Sequence, residues 1–136
     1  MIRPGLTLAL WIAIAILVIA NNAIGDTWIA DAMSASAVEW FKVLVPLPYV
    51  VLMAVIHARR TSGPRWLEAA LLASLLWSTS TAILDFLYER VTFGNDTDAF
   101  LGRLAVQWGA PYPLLLFGLF AAPLVAGWIV ARSRAD

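Results

Sequence analysis

An all-α bundle of four membrane-spanning helices, both termini cytoplasmic, is the fold this sequence predicts, and three observations point to it. Of the 136 residues 62% are hydrophobic and only 13% charged, with a mean hydropathy of +0.82. A soluble domain is about 45–50% apolar and about 25% charged. Four long apolar stretches alternate with short polar ones, each near the roughly 20 residues a helix needs to cross a bilayer. Finally, Arg3, Arg59, Arg60, Arg65, Arg132 and Arg134 fall on one side of a four-span arrangement, and Asp26, Asp31, Glu39, Asp96 and Asp98 on the other. The positive-inside rule makes the arginine side cytoplasmic.

The first span covers about residues 6–24, after a short basic start at Arg3. A signal peptide has an apolar core of about 7–15 residues and a small-residue cleavage site close behind it. This run is longer and Ala35-Ser36-Ala37 lies too far on, so an uncleaved span is expected, with Gly25-Asp26 as its stop. Asp26 to Glu39 reads as a loop, with room for an interfacial helix over 30–36; Trp28 and Trp40 are the aromatics expected at headgroup level. The second span, about 40–57, contains Pro46 and Pro48, which remove backbone donors and bend it. A tight basic loop from His57 to Arg65 follows.

The third span, about 66–88, organises the rest. Its sequence WLEAALLASLLWSTSTAILDFLYER carries Ser74, Ser78, Thr81 and Asp85 at spacings of four, three and four, one polar stripe on a helix. A turn is expected at Gly94-Asn95-Asp96. The fourth span, about 106–131, has Pro111 and Pro113 near its start and Pro123 inside. Gly118, Ala122 and Ala126 recur every fourth residue, a small-residue face for close helix contact. There is no internal repeat, and the chain reads as one domain.

Helix rise converts position into depth. With each span centred on the bilayer, Asn21, Asn22 and Lys42 lie roughly 10 Å toward the outer face, and Asp85 and Tyr112 about 12 Å. The hydrocarbon half-thickness is about 15 Å. Four helices thus bring a carboxylate, an ammonium, two amides and a phenol to one level, with Glu39, Glu89, Arg90 and Gln107 slightly further out. One reading is structural: Asp85 pairs with Lys42, Asn21 and Asn22 cap the first helix, and Tyr112 is a belt aromatic. The other makes the layer a ligand or proton site opening outward, with Asp85 as acceptor and Lys42, Asn21, Asn22, Tyr112, Thr81 and Glu89 around it. Intramembrane ionisable residues are functional candidates by default.

Other positions offer less. Ser74, Ser78 and Thr81 either line a polar path to Asp85 or bond to the preceding turn or a neighbouring helix. Trp77 reads as packing and His57, beside Arg59 and Arg60, as an interfacial residue. Asn95, Asp96 and Asp98 lack the ligand spacing of a calcium loop, so a solvated turn is expected. Net charge is zero with no basic run, which argues against a nucleic-acid partner. With no cysteine and a single histidine, thiolate chemistry and histidine-cluster metal sites are excluded within one chain. No phosphate-cradling glycine loop, nucleophile elbow or zinc-protease motif is present, and no cofactor is implied.

The run LWSTSTAILDFLYERVTFG, followed by Gln107-Trp108 and Ala122-Pro123-Leu124, resembles small four-span bacterial inner-membrane proteins of no known activity. They share a Trp-rich third helix, a Phe-Gly turn and a proline in the last helix. The resemblance covers the second half of the chain and implies the same architecture; Arg-rich, Lys-poor composition also fits a GC-rich bacterial source. Small multidrug exporters have a hallmark glutamate in the first span, which has no counterpart here. Three function classes follow. The first is a non-enzymatic accessory or structural membrane subunit. The second is an oligomeric small-solute or ion transporter using Asp85. The third is a membrane enzyme or lipid-binding protein. Expected partners are the lipid bilayer and a homo-oligomer or larger membrane complex.

Overall fold

The computed structural model of the chain describes residues 2–94, 97–102 and 111–135. Helices α1 (Pro4–Ile24), α2 (Ala35–Leu44), α3 (Pro46–Thr61), α4 (Trp66–Phe93), α5 (Thr97–Gly102) and α6 (Tyr112–Ala135) account for most of them, with a π-helical turn at Gly25–Ile29. No strand occurs among the described residues. Four segments are long and apolar enough to cross a membrane: Pro4–Ile29, Ala35–Thr61, Trp66–Phe93 and Tyr112–Arg134.

The element boundaries correct several expectations. Gly25 is no stop. Its φ of −60° is helical, and its N–H is shared between the carbonyls of Asn21 and Asn22. The helix then widens into the π turn, where Ala30 N–H reaches Gly25 O at 2.8 Å. The expected interfacial helix over 30–36 is instead a turn followed by the start of α2, capped by Ser34, whose Oγ accepts from Ala37 N–H at 3.2 Å. This cap satisfies one of the orphan donors of a helix start, so the second span begins before Trp40. Val45 keeps helical angles between α2 and α3. Pro46 and Pro48 therefore interrupt the hydrogen-bond ladder of one continuous apolar helical segment without ending it. The expected turn at Asn95-Asp96 and the start of the fourth span at residues 106–110 lie outside the described residues.

α4 runs past Tyr88 to Phe93 because Gly94 caps it in the left-handed region, φ 68°, with its N–H on Arg90 O. A side chain in that conformation costs about 1–2 kcal/mol. Gly94→Ala is therefore expected to lower stability by about 1 kcal/mol. Thermal unfolding in detergent checks this, and an unchanged midpoint would mean that the cap carries no stability.

α1 sits against α3 and α4, and α6 closes the opposite side against the same two helices. The inner face of α1 steps through Thr7, Trp11, Ile14, Val18 and Asn22 and continues to Gly25 of the π turn, spacings of three and four that keep one stripe inward. The core joins Ile14 and Val18 to Val50, Met53 and Ala54 of α3, Ala73 and Trp77 of α4, and Leu115 and Leu119 of α6. Close approach of α6 depends on its small residues. A Cβ on Gly118 would stand 2.6 Å from Leu47 Cδ2, and one on Gly127 would stand 3.0 Å from the Trp66 ring. The predicted small-residue face thus packs inside the chain, on α3. Outward, Ile12, Ile16, Leu52, Leu75, Ile83, Phe117, Val125 and Ile129 are exposed. Soluble monomers rarely expose apolar surface on this scale.

The helices alternate in direction. One end of the bundle therefore gathers Arg3, Arg59, Arg60, Arg65, Arg132 and Arg134, and the other gathers the C-terminal parts of α1 and α4, Arg90 included, with the starts of α2 and α6.

Candidate functional site

At the end opposite the arginines, α4 turns Asp85 into the bundle. The helix buries every fourth residue from Trp77 through Thr81 and Asp85 to Glu89, and Asp85 is 1% exposed. Its two carboxylate oxygens are held from two other helices. Asn22 Nδ2 donates to Oδ1 at 3.1 Å and the Tyr112 hydroxyl to Oδ2 at 2.7 Å. Asn21, turned about 100° from its neighbour on α1, donates instead to Phe41 O at 3.3 Å. That carbonyl also accepts from Val45 N–H just before the proline break. The adjacent amides thus tie α1 to α4 and to α2, and neither caps the helix.

The structure corrects the Lys42–Asp85 pairing. Lys42, 3% exposed, places Nζ 2.6 Å from Asp26 Oδ1 and 3.8 Å from Glu39 Oε1. The Tyr88 hydroxyl donates to the other Asp26 oxygen at 2.8 Å. Asp26 and Tyr88 are the site residues that sequence reasoning missed. The π turn carries α1 one turn further and swings Asp26 inward. Gly25 permits the approach, because a Cβ there would meet Phe41 Cδ1 at 3.2 Å. The available signal was the Asn22–Asp26 spacing of four, which puts both on one helical face. Single π-helical turns are often found at functional sites.

The hydroxyls of the Ser–Thr stripe bond to the preceding turn and to neighbouring helices. Ser78 bonds back to Ser74 O at 2.6 Å, and Ser74 reaches Phe120 O on α6 at 2.6 Å. Thr81, fully buried, accepts from Trp11 Nε1 at 3.2 Å. Trp77 does more than pack, since its Nε1 donates to Thr7 O at 3.0 Å. His57 faces the bundle interior: it is 1% exposed, edge-on to Trp77 at 5.6 Å, with Nε2 2.8 Å from Thr7 Oγ1. The Thr7 hydroxyl donates to Arg3 O at 3.0 Å, so its oxygen suits the Nε2–H tautomer of His57.

Glu89 is buried one turn beyond Asp85, Arg90 is exposed, and Gln107 lies outside the described residues. Among the described residues no cluster of three acidic or histidine groups could hold a metal ion.

No family model, curated protein or solved structure matches this chain. Function therefore has to come from the site itself. Its chemistry is that of two carboxylate centres. Asn22 and Tyr112 meet on Asp85 and join α1, α4 and α6; Asp26 faces a cation and joins the π turn, α2 and α4.

Proposed function

We propose that this chain is a non-catalytic integral membrane subunit of a bacterial inner membrane, arginine end in the cytoplasm, which acts by associating with other membrane chains. The observation that carries this reading is the mutual engagement of the polar layer. Asn22 and Tyr112 close on Asp85, while Lys42 and Tyr88 close on Asp26. Polar side chains that serve one another specify which helices meet and at what register. Such a layer acts as a lock, and the apolar outer faces remain for contact with other chains. Native mass spectrometry after gentle detergent extraction from the protein's own host tests the reading. A heavier assembly containing other subunits is expected; an isolated chain or a homodimer in every mild detergent would overturn it.

A second reading has its own observation. Asp85 and Glu89, one turn apart on α4, are 1% and 7% exposed. Two buried carboxylates on one face suit a proton or cation acceptor in an oligomeric transporter. In proteoliposomes, Asp85→Asn would then abolish pH-dependent flux with assembly intact, and flux equal to that of the unaltered chain removes this reading.

A further inference from the structure

We infer that the arginine end holds a binding site for the headgroup of an anionic phospholipid, in a cleft between the α3–α4 connection and the last turns of α6. The connection Ser62-Gly63-Pro64-Arg65 turns sharply. Gly63 has φ 139°, a conformation side chains resist, and Trp66 N–H closes the turn on Gly63 O at 3.1 Å. Arg134 crosses from α6 to this turn, donating to Ser62 Oγ and, at 3.3 Å, to Arg59 O. Between them lies a cleft of about 550 Å³ lined by Ser62, Gly63, Pro64, Trp66, Ala131 and Arg134. Small-ligand sites run to roughly 300–1,000 Å³, so the space suits a headgroup.

The lining fits that ligand in kind. A guanidinium has five N–H donors, and the bonds to Ser62 and Arg59 occupy two of them, leaving others for a phosphate oxygen. Exposed Arg3, Arg59, Arg60 and Arg132 make the whole end positive. Glu68, the acid among the described residues there, is held by Arg65. Trp66, half-buried and seated against Gly127, supplies an aromatic wall at the depth where headgroup meets acyl chain. Basic pockets between spans on the cytoplasmic side recognise anionic lipids by this combination of cation and interface. The site is separate from the Asp85 layer, at the other end of α4.

Native mass spectrometry of the full chain in a neutral detergent tests the assignment, with phosphatidylglycerol and phosphatidylcholine of matched acyl chains as probes. Phosphatidylglycerol is expected to be retained about tenfold more tightly. Arg134→Gln should erase the preference, and so should Ala131→Phe, which fills the cleft without changing charge. Arg132→Gln should keep it, because Arg132 lies over Trp128 at 5.3 Å, outside the cleft lining. Equal retention of the two lipids overturns the proposal. So does equal loss in the Arg132 and Arg134 variants, which would reduce the effect to diffuse charge. Inorganic phosphate at millimolar concentration should leave the lipid bound; displacement by it would make this a free-anion site and overturn the lipid assignment.

Discussion

Asp85→Ala is expected to destabilise the bundle by about 2–5 kcal/mol, because it strands two buried donors worth about 1–3 kcal/mol each. Asn22 and Tyr112, 2% and 1% exposed, converge on the two carboxylate oxygens, and alanine offers neither an acceptor. The lost volume adds a cavity cost. Asp85→Asn keeps one oxygen and nearly the same shape, so it should cost only about 1 kcal/mol, one lost hydrogen bond. Tyr112→Phe removes a single donor and should fall in the same range. Thermal or denaturant unfolding in a fixed detergent ranks the three. The lock predicts alanine well below asparagine and phenylalanine. Equal small losses for all three would mean that the contacts to Asp85 hold nothing together.

The level of the site was legible in the sequence, and its pairing was not. Helix rise alone puts Asn22, Asp85 and Tyr112 at one depth, and the structure joins those three. Depth says nothing about direction around each helix axis, so Lys42 seemed as good a partner for Asp85 as any acid at that level. The acid it takes, Asp26, was set outside the span because Gly25-Asp26 after a long apolar run reads as a stop. Glycine is here for a different reason: its Cβ would crowd the Phe41 ring at 3.2 Å. His57 misled in the opposite way. Its neighbours Arg59 and Arg60 are exposed, but α3 continues to Thr61, and its inner face takes Val50, Ala54, His57, Ala58 and Thr61. The polar stripe of α4 was misread by residue type. Counting hydroxyls selected Ser78, whereas the buried row passes through Trp77, whose indole N–H is itself a buried donor. Spans and depth follow from hydropathy and rise; partners follow from side-chain geometry, which one-dimensional spacing leaves open.

Lys42 and Asp26 should show the strongest pairwise coupling in the molecule. Removing one partner of a buried ion pair costs about 3–5 kcal/mol, since the other charge stays behind uncompensated. Lys42→Met takes the cation away from Asp26 and leaves it the Tyr88 hydroxyl. The Asp26 side chain is 16% exposed, so water offsets part of the loss and the lower end, about 3 kcal/mol, is expected. Asp26→Leu alone should cost a similar amount through stranded Lys42, which is 3% exposed. The double variant, Lys42→Met with Asp26→Leu, should recover most of it, because well-packed apolar replacements for a buried pair are often neutral. A thermodynamic cycle on unfolding in detergent gives the coupling directly. The control cycle pairs Lys42→Met with Asp85→Asn, where additivity within about 0.5 kcal/mol is expected because Lys42 engages Asp26 and Glu39 while Asp85 engages Asn22 and Tyr112. High salt should change little, because the pair is buried. A large coupling for Lys42–Asp85 and none for Lys42–Asp26 would reverse the assignment and make Lys42 the counter-ion of a membrane carboxylate. The opposite pattern leaves Lys42 closing the lip between the π turn and α2. Asp85 then has the role of joining α1, α4 and α6 through Asn22 and Tyr112, apart from the Lys42–Asp26 pair.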